Sequence, residues 1–214
     1  MRTVLIVFLL VFCASVLPVC AEPEEISKKH CKECHRFSSK EKQLEGPDLF
    51  YSGDKFHQSW LKNFLQSPEI IREAAFDSLT GEPRLPEVHV ALTKEESERV
   101  TSFLMTLRLS NLEMKRVDEK PLSKGKRAQI KVLFERRFGC ISCHRTLNLV
   151  GKLRGGVSGP SLVNSGRRLK SDWIFNWLTA PKKFMYEGRM PVFNLDEETA
   201  ISMTKYILSI RAKP

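Results

Sequence analysis

Spare cysteine is what this chain of 214 residues lacks. Of its six cysteines, Cys13 and Cys20 belong to the N-terminus, where Arg2 precedes an apolar run from Val4 to Val19 and Val19-Cys20-Ala21 offers small residues. A positive start, an apolar centre and a small-residue end mark a secretory signal peptide over 1–21, expected to be cut after Ala21. The remaining four cysteines all sit in two short motifs, so no thiol is left for a disulfide, a zinc site or a nucleophile. That usage suits an oxidising compartment, where stray thiols mispair. A further long apolar run is also missing: no other stretch is apolar enough to span a bilayer. The expected location is therefore the periplasm or an equivalent extracytoplasmic compartment. The alternative is that the apolar start is retained as a membrane anchor. A lipid-modified Cys20 is the weaker reading, because Val19 is bulky where a small residue is wanted.

The four remaining cysteines form Cys-x-x-Cys-His twice, as Cys31-Lys32-Glu33-Cys34-His35 and Cys140-Ile141-Ser142-Cys143-His144. This pentapeptide is the attachment signature of covalent haem c. The two thiols add across the haem vinyl groups and the adjacent histidine reaches the iron. One copy alone also fits a redox dithiol, or half a zinc site with a chance histidine. Two complete copies imply two haem c groups, and with them electron transfer or haem-based catalysis.

The motifs head an internal repeat. Each is followed by Gly-Pro, at Gly46-Pro47 and Gly159-Pro160, then by a tryptophan-bearing apolar segment ending at proline, Trp60 to Pro68 and Trp173 to Pro181. Arg84-Leu85-Pro86 answers Arg189-Met190-Pro191, and Leu92-Thr93-Lys94-Glu95-Glu96 answers Leu195-Asp196-Glu197-Glu198. The spacing predicts helices throughout. Thr93 with Glu96 makes a capping box, followed by Val100, Phe103, Leu104 and Leu107 on one face. Asp196 caps the equivalent helix, with Ala200, Met203, Ile207 and Ile210. A shorter helix starts after Pro23, and Ala128 to Phe138 reads as an amphipathic helix leading into the second motif.

Each repeat resembles a class I cytochrome c domain, whose pattern is a helix, Cys-x-x-Cys-His, a Gly-Pro loop, a short helix, a Met-Pro loop and a C-terminal helix. The resemblance covers essentially all of the chain after the signal and extends to two-domain dihaem forms. It implies an all-α fold of two tandem cytochrome c domains, each enclosing one covalently attached haem: domain 1 over 22–109, a charged linker over 110–126 and domain 2 over 127–214. Cys31, Cys34 and His35 would hold haem 1, and Cys140, Cys143 and His144 haem 2, with His35 and His144 as the proximal iron ligands.

The far side of each iron differs between the repeats. Met190, in Gly188-Arg189-Met190-Pro191, matches the family's axial methionine, and a thioether opposite an imidazole raises the potential. The first repeat has Leu85 there, which cannot bind iron. His89, four residues on, is the leading candidate, and bis-histidine ligation would lower the potential relative to haem 2. Its rivals are His57, His30 and Met105. A filled site makes the chain an electron carrier or the cytochrome subunit of a membrane-associated oxidoreductase complex. An open or labile distal site would instead suit a peroxidase-like enzyme or a small-ligand binder. No distal Glu or Gln is assignable as a peroxidase acid-base group, and nothing resembling an output domain follows, so electron transfer is favoured.

Charge is divided unevenly. Residues 22–110 carry 13 Lys+Arg against 16 Asp+Glu, or 13 − 16 = −3, and residues 111–214 carry 21 against 9, or 21 − 9 = +12. Haem propionates make both halves less positive. Nucleic acid does not suit an exported haem protein. The expected partners are redox proteins, with an acidic docking surface steered toward domain 2.

Overall fold

The structure is a computed structural model that describes residues 21–73, 75–76, 83–84, 89–118, 120–148, 150–185 and 188–211. Residues 1–20 of the expected signal, and Leu85, lie outside the described residues. Among the described residues no helix is long and apolar enough to cross a membrane.

The first half runs through α1 (Glu25–Lys28), α2 (Cys31–Cys34), α3 (Ser52–Lys55), α4 (Gln58–Gln66), an antiparallel pair β1 (Ala75–Phe76) and β2 (Pro83–Arg84), and α5 (Lys94–Leu104). The second half has α6 (Lys124–Val132), a wider π-helical turn at Leu133–Arg137 and a 3-10 turn at Cys140–Ser142. Then come the hairpin β3 (Thr146–Leu147) with β4 (Leu153–Arg154), α7 (Ser165–Arg168), α8 (Ser171–Thr179), α9 (Pro181–Phe184) and α10 (Glu197–Leu208).

The caps are those the residues dictate. Thr93 and Glu96 form the reciprocal capping box of α5, and Asp196 accepts from the Thr199 amide at the head of α10. The helix expected over Ala128 to Phe138 begins earlier, because Ser123 caps it by accepting from the Lys126 amide. Gly125, expected in the linker, therefore lies inside α6.

Matching helices bury matching faces. Ile26 of α1, Leu61 and Leu65 of α4 and Val100 and Leu104 of α5 make one core. Ile130 of α6, Ile174 and Leu178 of α8 and Met203 and Ile207 of α10 make its counterpart, closed by a fully buried Phe134 in the π-helical turn. The segment after Leu109 is a strap on the second half. Asn176 donates to the Glu113 carbonyl and accepts from its amide, while Val117 is buried with Phe175 and Ala200.

The halves meet about a local two-fold. Ser52-Gly53-Asp54-Lys55-Phe56-His57 corresponds to Ser165-Gly166-Arg167-Arg168-Leu169-Lys170. Phe56 and Leu169 form an antiparallel bridge. The His57 amide donates to the Arg168 carbonyl at 3.0 Å and the Lys170 amide to the Lys55 carbonyl at 3.0 Å. Equivalent residues exchange equivalent bonds, as in an isologous dimer interface. Tyr51 of the first half stacks against Trp173 of the second at 4.4 Å between ring centroids, with Phe184 completing a buried cluster.

Gly53 and Gly166 let α3 and α7 press against the ends of α5 and α10. A Cβ on either would fall inside 3.0 Å of backbone, the Met105 carbonyl in one half and the Leu208 carbonyl in the other. Gly125 has nothing within 4 Å of such a Cβ. Gly53→Ala and Gly166→Ala are therefore expected to cost about 1–3 kcal/mol each by overpacking. Gly125→Ala should gain up to about 1 kcal/mol of helix stability. Denaturant titration of the three variants checks the opposite signs.

Candidate functional site

Two sites are built by the same local grammar. A residue in the left-handed region precedes each motif, His30 at φ 55° and Gly139 at φ 62°. It turns the chain so that Cys31–Cys34 and Cys140–Ser142 each form a single helical turn. The His35 amide then bonds the Cys31 carbonyl, and the His144 amide the Cys140 carbonyl, both at 3.0 Å. The Gly-Pro loop returns over the motif: the Gly46 amide donates to the Cys34 carbonyl and the Gly159 amide to the Cys143 carbonyl, each at 2.8 Å.

That return fixes the imidazoles. His35 Nδ1 lies 2.7 Å from the Pro47 carbonyl and His144 Nδ1 2.8 Å from the Pro160 carbonyl. A carbonyl only accepts, so Nδ1 carries the proton and Nε2 keeps a free lone pair directed away from the loop. Burial lowers the pKa of both rings and favours this neutral form. The glycines are obligatory: a Cβ at Gly46 would stand 2.7 Å from His35 Nδ1, and one at Gly159 2.7 Å from His144 Cε1.

Burial of Cys31 and Cys140 works against a redox dithiol. Such a pair needs a thiol pushed below its ordinary range, whereas burial raises Cys31 and pushes Cys140 up to about 11. Cys34 and Cys143 are exposed, and none of the four forms a disulfide. Among the described residues no cluster of three or more His, Cys, Asp and Glu side chains gathers as a metal site.

The residues expected on the far side of each iron are unlike. In the first half the His89 ring stands 6.0 Å from the His35 ring, centroid to centroid. Its Nδ1 is 2.9 Å from the Val90 carbonyl, which again leaves Nε2 as the free donor. A metal–imidazole bond is about 2 Å and a centroid lies about 1 Å behind its nitrogen, so two imidazoles on one metal stand about 6 Å apart. The spacing therefore fits a haem iron between His35 and His89. A small apolar cavity lined by Ile26, Cys31, Phe37, Leu65 and Leu104 adjoins His89. The rivals stand elsewhere. His30 is exposed and bonded to Glu33, His57 caps α4 at the domain interface, and Met105 ends α5 beside the core.

In the second half Met190 packs at the rim of the core with Cys140 and Ile141. Its Sδ accepts a hydrogen bond from Trp177 Nε1 at 3.0 Å. Trp177 corresponds to Phe64 in the repeat, and Phe64 lies 5.6 Å from the His89 ring. One position of the tryptophan helix thus attends the residue expected on the distal side in both halves, with an N–H donor where the acceptor is a thioether. The shared spacing from Trp60 and Trp173 was the signal for this role.

The residue after each histidine shows how the halves diverge. Arg36 makes a bidentate pair with buried Asp48, at 2.7 and 2.5 Å. Ser161 replaces Asp48 in the second half, and Arg145 crosses to Glu73 of the first half at 2.6 Å.

The family model described as Cytochrome c matches residues 21–108. No curated protein matches the chain, and no solved structure does. The matched span contains the first motif, its Gly-Pro loop, the tryptophan helix and α5. The first half is thus similar to cytochrome c along its length, and the match together with the helical fold supports a c-type cytochrome domain, a haem-binding electron-transfer module for which haem c with its iron is the implied cofactor.

Proposed function

We propose that the chain is an exported dihaem cytochrome c that passes electrons between redox partners. In this reading haem 1 is held by Cys31, Cys34, His35 and His89, and haem 2 by Cys140, Cys143, His144 and Met190. The observation that carries it is the bond-for-bond repetition of the proximal frame, Nδ1 donating to a proline carbonyl behind each attachment motif. Each haem c, when bound, supplies a one-electron iron couple. His35 and His144 present a fixed, neutral donor to it, and the Gly-Pro loops prevent their rings from turning. As a second imidazole ligand His89 would favour the oxidised iron, and as a thioether ligand Met190 would favour the reduced one. The first site is accordingly the lower in potential.

Low-temperature EPR of the oxidised protein tests the first site. The wild type should show two low-spin haems. His89→Ala should convert haem 1 alone to a high-spin form that binds carbon monoxide on reduction. An unchanged low-spin spectrum would remove His89 from the iron.

Trp177 tests the second site. Its N–H places positive charge against the sulfur and so favours the reduced state. A hydrogen bond worth about 1 kcal/mol corresponds to about 40 mV for one electron. Trp177→Phe is expected to lower the haem 2 potential by that order and leave haem 1 in place, as redox titration would record.

The basic second half supports an acidic docking partner for haem 2. Steered encounters slow as salt screens them over about 10 Å at 0.1 M. Stopped-flow exchange with an acidic redox protein should therefore slow steeply as ionic strength rises. A rate indifferent to salt contradicts the steering.

A further inference from the structure

The hydrogen bond behind each motif joins two points of the chain, a histidine and the proline of the Gly-Pro loop. The residue that follows each of these points differs between the halves, and so does what holds it. In the first half the two followers are Arg36 and Asp48. They hold each other through two bonds of 2.7 and 2.5 Å, with Asp48 only 2% exposed. In the second half the followers are Arg145 and Ser161. A serine brings no carboxylate, and the Ser161 hydroxyl is already engaged by the Val163 amide at 3.3 Å. The clasp of the first half therefore has no copy in the second.

Both followers are held from the first half instead. The Ser161 amide donates to the Ile71 carbonyl at 2.7 Å. The Arg145 guanidinium pairs with the Glu73 carboxylate at 2.6 Å. Its Nε is buried with no acceptor among the described residues, so this guanidinium depends on Glu73. The Ser161 carbonyl accepts from Arg168 at 2.7 Å, and Arg168 itself lies over the Trp60 ring of the first half at 6.0 Å.

The stretch that reaches across departs from the repeat. Beyond Pro181 the second half coils at once into α9, and Phe184 turns back onto Trp173 and Trp177 of its own half. Ile71 stands as far beyond Pro68 as Phe184 beyond Pro181. Residues 69–73 are not helical, and this backbone is spent on the loop behind His144 rather than on its own tryptophan.

We propose that Ile71 and Glu73 are positioning residues for His144. The first half completes its own proximal frame, and it also completes that of the second half. A ligand imidazole is oriented by the bond on its other nitrogen, and that bond lasts only while motif and loop keep their separation. The inference rests on the dihaem reading above. It gives the contact between the halves a direction: loosening it disturbs the proximal ligand of haem 2 and spares that of haem 1.

The experiment uses the haem-loaded full chain, reduced so that both low-spin irons are diamagnetic. Haem content is counted first, and exchange of the two histidine Nδ1 protons is then followed by NMR. In Glu73→Gln and in Arg145→Gln the His144 proton should exchange roughly fivefold faster than in the wild type, with the His35 rate unmoved. The two substitutions remove charges of opposite sign. A through-space effect would drive the rates apart, whereas loss of a shared clasp moves them together. Ser161→Asp supplies the carboxylate that Asp48 supplies in the first half, and added to Glu73→Gln it should restore the wild-type rate. Two haems per chain with the His144 rate unchanged in both Gln variants would overturn the inference and leave the dihaem reading standing. Equal quickening at His35 and His144 would also overturn it, as a general loosening of the fold. A single haem per chain would remove the dihaem reading, and the inference with it.

Discussion

A neutral imidazole has one proton to donate and one lone pair to offer, and in both halves of this chain the proton goes to a proline carbonyl. The rest of the site follows from that bond. The carbonyl stands behind the ring because the Gly-Pro loop returns over the Cys-x-x-Cys turn. It can return only because glycine has no Cβ to strike the ring. The turn itself depends on a left-handed residue ahead of it, glycine in one half and a histidine in the other. His30 therefore has a backbone role, which explains an exposed imidazole beside the motif.

The bridge at Phe56 and Leu169 carries the same logic to the whole molecule. The two halves of the repeat join through equivalent residues, so departures from symmetry become visible as single substitutions. Ser161 for Asp48 releases an arginine to cross the interface. Trp177 for Phe64 supplies a hydrogen bond to the Met190 thioether. In the reading argued above, the two halves share a proximal side and an interface and differ where the potential is set.

Much of this was legible in the sequence. The motifs and the caps at Thr93, Ser123 and Asp196 depend on residues within four positions of one another, and the Gly-Pro loops reach back to their histidines over only 12 and 16 residues. Local chemistry determines them, although Gly125, which reads as linker, lies inside the helix that Ser123 caps. His89 emerged by elimination once Leu85 had excluded a methionine. Its distance from His35 depends on how a long loop folds back, which no short-range pattern records. The interface was hidden for a different reason. The segments from Ser52 and from Ser165 look like two copies of one element, and nothing in a repeat says that its copies touch. Arg145 and Arg168 read as ordinary surface cations until the other half meets them.

The central claim is that two alike proximal frames hold two haems with unlike distal ligands. Spectroelectrochemical titration of the exported holoprotein, followed by the absorbance and EPR of each haem, bears on it most directly. The account predicts two haems per chain titrating as separate one-electron couples, the lower with a bis-histidine signature and the higher with a histidine–methionine one. A single haem per chain, or two haems of one potential and one signature, would contradict it.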